Sequence, residues 1–202
     1  MNERSIIPKG YHIDKQLFHD DLITFVRGEI KKLTAVTVFY WAFNLSIVAY
    51  AFYIGTKSEL GFFKIFSNMC LGIIGLYVLV PIHELIHGAC YKIAGAPSVQ
   101  YKALWRKMVF FAAADGFLVS KRWFVFLAIA PFVVLNSILI YLVCHTSDIW
   151  FWSLLGTLLF HSGGCAGDFA MISFFTRNWK NEPITYDDMS KKESYFLLKS
   201  RN

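Results

Sequence analysis

Apolar residues gather into four long runs, at residues 34–54, 68–90, 123–143 and 150–175, separated by shorter polar segments. The first run carries no charge, the second none before Glu84, and the fourth only Asp168. A helix needs about 20 apolar residues to cross a hydrocarbon core, so each run is long enough to be a transmembrane helix. The second run ends at Tyr91-Lys92, with Gly95 and Pro97 as stop signals, and the third contains Pro131, which neighbouring helices can accommodate. Trp123 and Trp150 open the third and fourth runs, where a membrane interface favours tryptophan.

The remaining segments have other periods. Before Leu33 the apolar positions Leu17, Phe18, Leu22, Ile23, Phe25 and Val26 predict a short amphipathic helix on the membrane surface. Residues 99–119 are rich in β-branched and aromatic side chains and include Asp115-Gly116, a turn candidate, so a small β-hairpin or re-entrant element is expected near the mouth of any site. Such a strand could hold an extended peptide by edge pairing. The expected fold is therefore an all-α polytopic membrane protein of about four transmembrane helices with a β-hairpin-like element between spans two and three. Its parts are an N-terminal amphipathic segment (1–33), a membrane-embedded domain (34–175) and a C-terminal tail (176–202).

Charge sets the orientation. Of 20 Lys and Arg residues, only Lys57 and Lys64 fall in the loop after the first run, and none lies between the third and fourth. The rest flank the other ends of the runs. The positive-inside rule then puts both termini and the middle loop in the cytoplasm, as in a multi-pass protein of a bacterial plasma membrane. A composition 56% hydrophobic and only 17% charged fits a lipid-embedded chain. The net charge of +6 flanks apolar runs and forms no stripe on a nucleic-acid-binding motif, so nucleic acid is not an expected partner. The expected partners are the bilayer and a peptide or membrane-protein substrate; the sequence is silent on oligomeric state. Cys70, Cys90, Cys144 and Cys165 form no Cys-x-x-Cys pair and fall in apolar runs, where buried thiols are ordinary packing residues. The polar N-terminus shows no cleavable signal peptide.

One motif carries chemistry. His83-Glu84-Leu85-Ile86-His87 sits inside the second run. Histidines four apart share a helix face and can converge on one Zn²⁺, while Glu84 can take a proton from water at the metal. A third ligand must come from elsewhere. His83 lies nine residues before Lys92 and Asp168 nine before Arg177, so both sit roughly 13 Å inside the first basic residue of spans expected to run in the same direction. The small residues of His161-Ser162-Gly163-Gly164-Cys165-Ala166-Gly167-Asp168 permit close helix approach and local unwinding. Asp168 is thus the expected third ligand and His161 the rival, although His161 could instead line the cavity. Asn136 is expected to be a polar cavity residue or a link to a neighbouring helix. His12, His19 and His145 are expected at the surface.

His83-Glu84-Leu85-Ile86-His87-Gly88, Ala130-Pro131 and Gly167-Asp168 together resemble a bacterial membrane family of zincin-type peptidases of unknown function. More distantly they resemble site-2-type intramembrane metalloproteases. The resemblance covers roughly residues 9–175 and extends into the tail. It implies that His83, His87 and Asp168 bind zinc and that Glu84 is catalytic. Two features depart from the site-2 pattern: Asp168 is followed by Phe169 rather than Gly, and no Asn-Pro-Asp triplet precedes it. The expected activity is a zinc-dependent membrane peptidase. The alternatives are an inactive membrane scaffold, or a metal-binding or transport protein.

Overall fold

The computed structural model describes residues 7–104 and 109–200. Four helical runs are long and apolar enough to cross a membrane: Ala35–Gly55, Phe62–Ile93, Lys121–Cys144 and Ile149–Arg177. They coincide with the four apolar runs. The helices are α1 (Leu22–Ile30), α2 (Ala35–Gly55), α3 (Phe62–Ile93), α4 (Lys121–Cys144), α5 (Asp148–Gly164) and α6 (Ala166–Arg177). The fourth run is therefore two helices, broken at Cys165 just after Gly163 and Gly164. The capping box of α2 marks the polar-to-apolar boundary: Thr34 Oγ1 accepts the Thr37 N–H at 3.2 Å, and Thr37 Oγ1 accepts the Thr34 N–H at 3.0 Å. Val38, Trp41, Leu45, Val48 and Phe52 of α2 all point outward, as on a helix that faces lipid rather than a solvated surface.

The α3–α5 crossing is set by small residues. A Cβ added to Gly72 would collide with the backbone of Gly156 and Thr157, and one added to Gly156 would collide with Met69. The two backbones touch because neither side has a side chain there.

The all-α expectation needs a correction. Strands β1 (Tyr11–Phe18), β4 (Val119–Ser120), β5 (Ile184–Asp188) and β6 (Glu193–Lys199) form an antiparallel sheet in the order β1-β6-β5-β4. The amphipathic helix expected before Leu33 is confined to α1, and the stretch ahead of it is β1, paired with β6 from Tyr11↔Lys199 to Phe18↔Glu193. The initial segment and the tail, far apart in sequence, thus join in one sheet. The central strand β6 reads Tyr195-Phe196-Leu197-Leu198 because both its faces are covered. Phe196 packs with Phe25, Phe124, Phe174 and Phe175, which ties the sheet to α1, α4 and α6, while Tyr195 and Leu197 pack with Tyr186 on the opposite face.

The hairpin expected in the middle loop is present as β2 (Gln100–Leu104) paired with β3 (Val109–Ala113). Asp115-Gly116 does not join these strands; the residues between them, 105–108, lie outside the described residues. Asp115-Gly116 instead turns the chain from β3 toward β4, with Gly116 at φ 65° and its N–H bonded to the Asp187 carbonyl at 2.8 Å.

Candidate metal centre

His83 and His87 lie one turn apart on α3, and Asp168 lies in the first turn of α6. Three polar side chains from two helices meet there. His83 Nε2 is 3.1 Å from His87 Nε2 and 3.2 Å from Asp168 Oδ2, and His87 Nε2 is 3.3 Å from Asp168 Oδ1. A tetrahedral Zn²⁺ with bonds of about 2.0–2.15 Å has ligand–ligand edges of about 3.3–3.5 Å, so these separations fit one ion with only small adjustment. The donor set, two imidazoles and a carboxylate, also suits zinc at a site with one position open. His87 is oriented from behind, its Nδ1–H donating to the Leu127 carbonyl of α4 at 3.0 Å. That bond leaves Nε2 facing the centre.

His161, the rival ligand, stands on the other side of His83. Its Nε2 is 3.2 Å from His83 Nδ1, and its Nδ1 is 2.8 Å from Asn136 Oδ1 on α4. His161, His83 and Cys165 also place ligand atoms within 4.8 Å of one another. Asn136 does link to a neighbouring helix, through His161.

Glu84 lines the same cavity and is held by the Ala112 backbone N–H of β3. Its Oε2 is buried with no hydrogen-bond partner. Glu84 shares a helix face with Gly88, where an added Cβ would collide with the Tyr101 hydroxyl. Tyr101 and Ala112 are cross-strand partners, so the bare Gly88 lets the hairpin settle onto the Glu84 face of α3. The cavity has a volume of about 470 Å³, and β3 contributes Phe110, Phe111 and Ala112 to its wall while β2 contributes no described residue. Leu22 and Val26 of α1, Leu76 and Val80 of α3, and Met171 of α6 make the wall mostly apolar.

The outer end of the cavity, under the sheet, is polar. Asp187 accepts the Ser194 hydroxyl at 2.5 Å. Burial, reinforced by the Asp115 carboxylate, pushes its carboxyl up to about 6, against the opposing pull of the Ser194 bond. His19 is a further correction: it is buried and lines the cavity, edge-on to Phe111 with ring centroids 4.8 Å apart. Burial lowers its pKa, against the nearby Asp20 and Glu193 carboxylates. His19 was hidden from sequence reasoning because only the sheet brings the end of β1 over the cavity. His12, which bonds to Ser200, and His145 are exposed, as expected. Cys90 and Cys165 are buried.

A family model described as "Putative zincin peptidase" matches residues 76–182, just over half of the chain. The chain belongs to this zincin peptidase family. The matched region includes His83, Glu84, His87, Asn136, His161 and Asp168, together with the β2–β3 hairpin and all of α4. The family thus spans the whole cluster but not α1, α2 or β6, which supply one wall of the cavity, part of the bundle and the centre of the sheet. No curated protein and no solved structure matches the chain.

Proposed function

We propose that this zincin family member is a membrane-embedded zinc metallopeptidase, with His83, His87 and Asp168 holding the metal and Glu84 as general base. The observation that carries this reading is the convergence of three ligand side chains, with contacts of 3.1–3.3 Å, beside a buried carboxylate oxygen that has no partner. A zinc ion held by these three side chains would supply acidity, lowering the pKa of water to about 7, and would polarise a peptide carbonyl. Glu84 Oε2 takes the proton from the attacking water and delivers it to the leaving amine nitrogen. The Ala112 N–H holds the other carboxylate oxygen, so Glu84 keeps one orientation through both transfers. The apolar wall excludes competing water and accommodates an apolar stretch of substrate, in keeping with a membrane or membrane-proximal peptide.

The hairpin has a part in this reading too. The Ala112 N–H turns toward Glu84, so β3, not β2, offers an edge to an extended peptide. The basic flanks of the four helices support a cytoplasmic position for the sheet, the hairpin and the cavity mouth, at a plasma membrane. The test is Glu84→Gln in proteoliposomes, assayed on a fluorescent peptide library with apolar centres. The variant should keep one equivalent of zinc and lose cleavage by at least about a hundredfold. Equal cleavage by both proteins would end the peptidase reading, and absence of zinc from the wild type would end the metal reading.

A further inference from the structure

We infer that His161 is a positioning residue: held by Asn136, it fixes the tautomer of His83 so that His83 Nε2 presents a lone pair to the metal. The inference rests on the proposed zinc site and adds a part for two buried polar residues, on α4 and α5, that coordinate nothing in it.

Asn136 is 2% exposed and places Oδ1 2.8 Å from His161 Nδ1. An amide oxygen only accepts, so His161 Nδ1 carries the hydrogen. A neutral imidazole with Nδ1–H has a bare Nε2. That atom is 3.2 Å from His83 Nδ1, and two ring nitrogens at this distance share a single hydrogen. The hydrogen therefore belongs to His83 Nδ1, and His83 Nε2 is left bare, 3.1 Å from His87 Nε2 and 3.2 Å from Asp168 Oδ2. Each bond in the series dictates the next, and the outcome is a His83 ready to coordinate.

The reverse orientation of Asn136 gives the opposite result. Its NH₂ would donate to His161 Nδ1, His161 Nε2–H would donate to His83 Nδ1, and His83 Nε2–H would point a hydrogen at the ligand cluster. A protonated nitrogen cannot bind a metal. The observed orientation leaves Asn136 Nδ2 buried without a hydrogen-bond partner, which is unfavourable in itself. Coordination by His83 is what this orientation permits. His87 reaches the same tautomer more simply, through the Leu127 carbonyl, which can only accept. The two histidines of the pentapeptide are thus set from behind by different means, one by backbone and the other by a two-residue side-chain relay.

The competing assignment is a second metal site made of His83 Nδ1, His161 and Cys165, whose ligand atoms also cluster. It would require the His83 ring to lose both hydrogens.

The experiment compares His161→Leu, His161→Gln, Asn136→Leu and Asn136→Asp with the wild type in detergent. Zinc affinity is read by chelator competition and the coordination shell by zinc K-edge absorption. His161→Leu and Asn136→Leu should weaken zinc binding by about 10–100-fold, with the shell keeping two imidazoles. His161→Gln keeps an acceptor for His83 Nδ1–H, and Asn136→Asp keeps one for His161; both should recover most of the loss. Should a Leu variant fail to fold, the Gln and Asp variants still decide, because weakening as severe as that of His83→Ala would contradict positioning. Wild-type affinity in His161→Leu would remove any role. One imidazole lost from the shell in His161→Leu would make His161 a ligand, and a second zinc equivalent lost on Cys165→Ser would establish the competing site. Zinc retained at full affinity in His83→Ala or Asp168→Ala would instead overturn the underlying ligand set, a result separate from all of these.

Discussion

The Thr157 hydroxyl on α5 donates to the Gly72 carbonyl on α3 at 3.2 Å, where the two helix backbones lie in contact. This crossing is remote from the proposed metal ligands yet sets where they stand. His83 and His87 are on one of these helices, His161 is on the other, and Asp168 follows directly in α6. A side chain in the crossing would force α3 away from α5. Gly156→Val should therefore abolish stoichiometric zinc and destabilise the fold by about 2–3 kcal/mol, although it touches no ligand. Zinc analysis and thermal unfolding of the purified protein would check this; a variant with full zinc content would mean that the crossing and the ligand cluster are independent.

Asp168 is the one carboxylate among the three proposed ligands, and it comes from a different helix than the histidines. Asp168→Ala leaves two imidazoles on a single helical turn, too few for a tight zinc site. Its zinc affinity should fall by at least about a thousandfold, and Asp168→Asn, which removes the charge but keeps the shape, should lie between the two. Inductively coupled plasma analysis after dialysis against a weak chelator distinguishes the three proteins.

The chain's patterning made the helices legible because a uniformly apolar run of 20 residues has few other fates. The His83–Asp168 pairing was legible for a related reason: both residues sit at the same distance from a basic residue that marks the end of a helix. The sheet was not. Tyr11 to Phe18 mixes polar and apolar residues and carries a register shift between Ile13 and Lys15, so neither a clean alternation nor a clean helical stripe is present. What makes it a strand is β6, some 180 residues away, and no local period reports a partner at that range. The same distance hid His19. The relay through His161 and Asn136 was hidden for a different reason: spacing gives depth along a helix but not which ring nitrogen faces which neighbour.

Glu29 on α1 anchors this helix to α6. Arg177 Nη2 reaches both Glu29 oxygens, at 2.9 and 2.7 Å, and Lys32 reaches one at 2.5 Å. Glu29 is buried, so removing Arg177 strips most of its compensation. Arg177→Leu should cost about 2–3 kcal/mol, less than for a fully enclosed pair because Arg177 is partly exposed and Lys32 remains. The double variant Glu29→Leu/Arg177→Leu should recover much of that loss, since it buries no charge. Chemical unfolding of the four proteins of this cycle measures the coupling; additive losses would show that the pair contributes nothing of its own.

Asp187 gives the fold a pH dependence whose sign is fixed. Its folded-state pKa of about 6 lies above the ordinary 3.8, so the folded protein holds a proton that the unfolded chain releases. The associated stability is complete below about pH 3.8 and is lost as the pH rises through about 6, by an amount on the order of 3 kcal/mol. Asp187→Asn keeps an acceptor for the Ser194 hydroxyl and never ionises. It should therefore match the wild type near pH 3, where Asp187 is protonated in both the folded and the unfolded chain, and exceed it in thermal stability at pH 8. The comparison also isolates this group from other titrating residues, which are common to both proteins and cancel. A Tm difference equal at the two pH values would mean that Asp187 ionises in the fold as readily as in water, and that the sheet does not shield the outer end of the cavity.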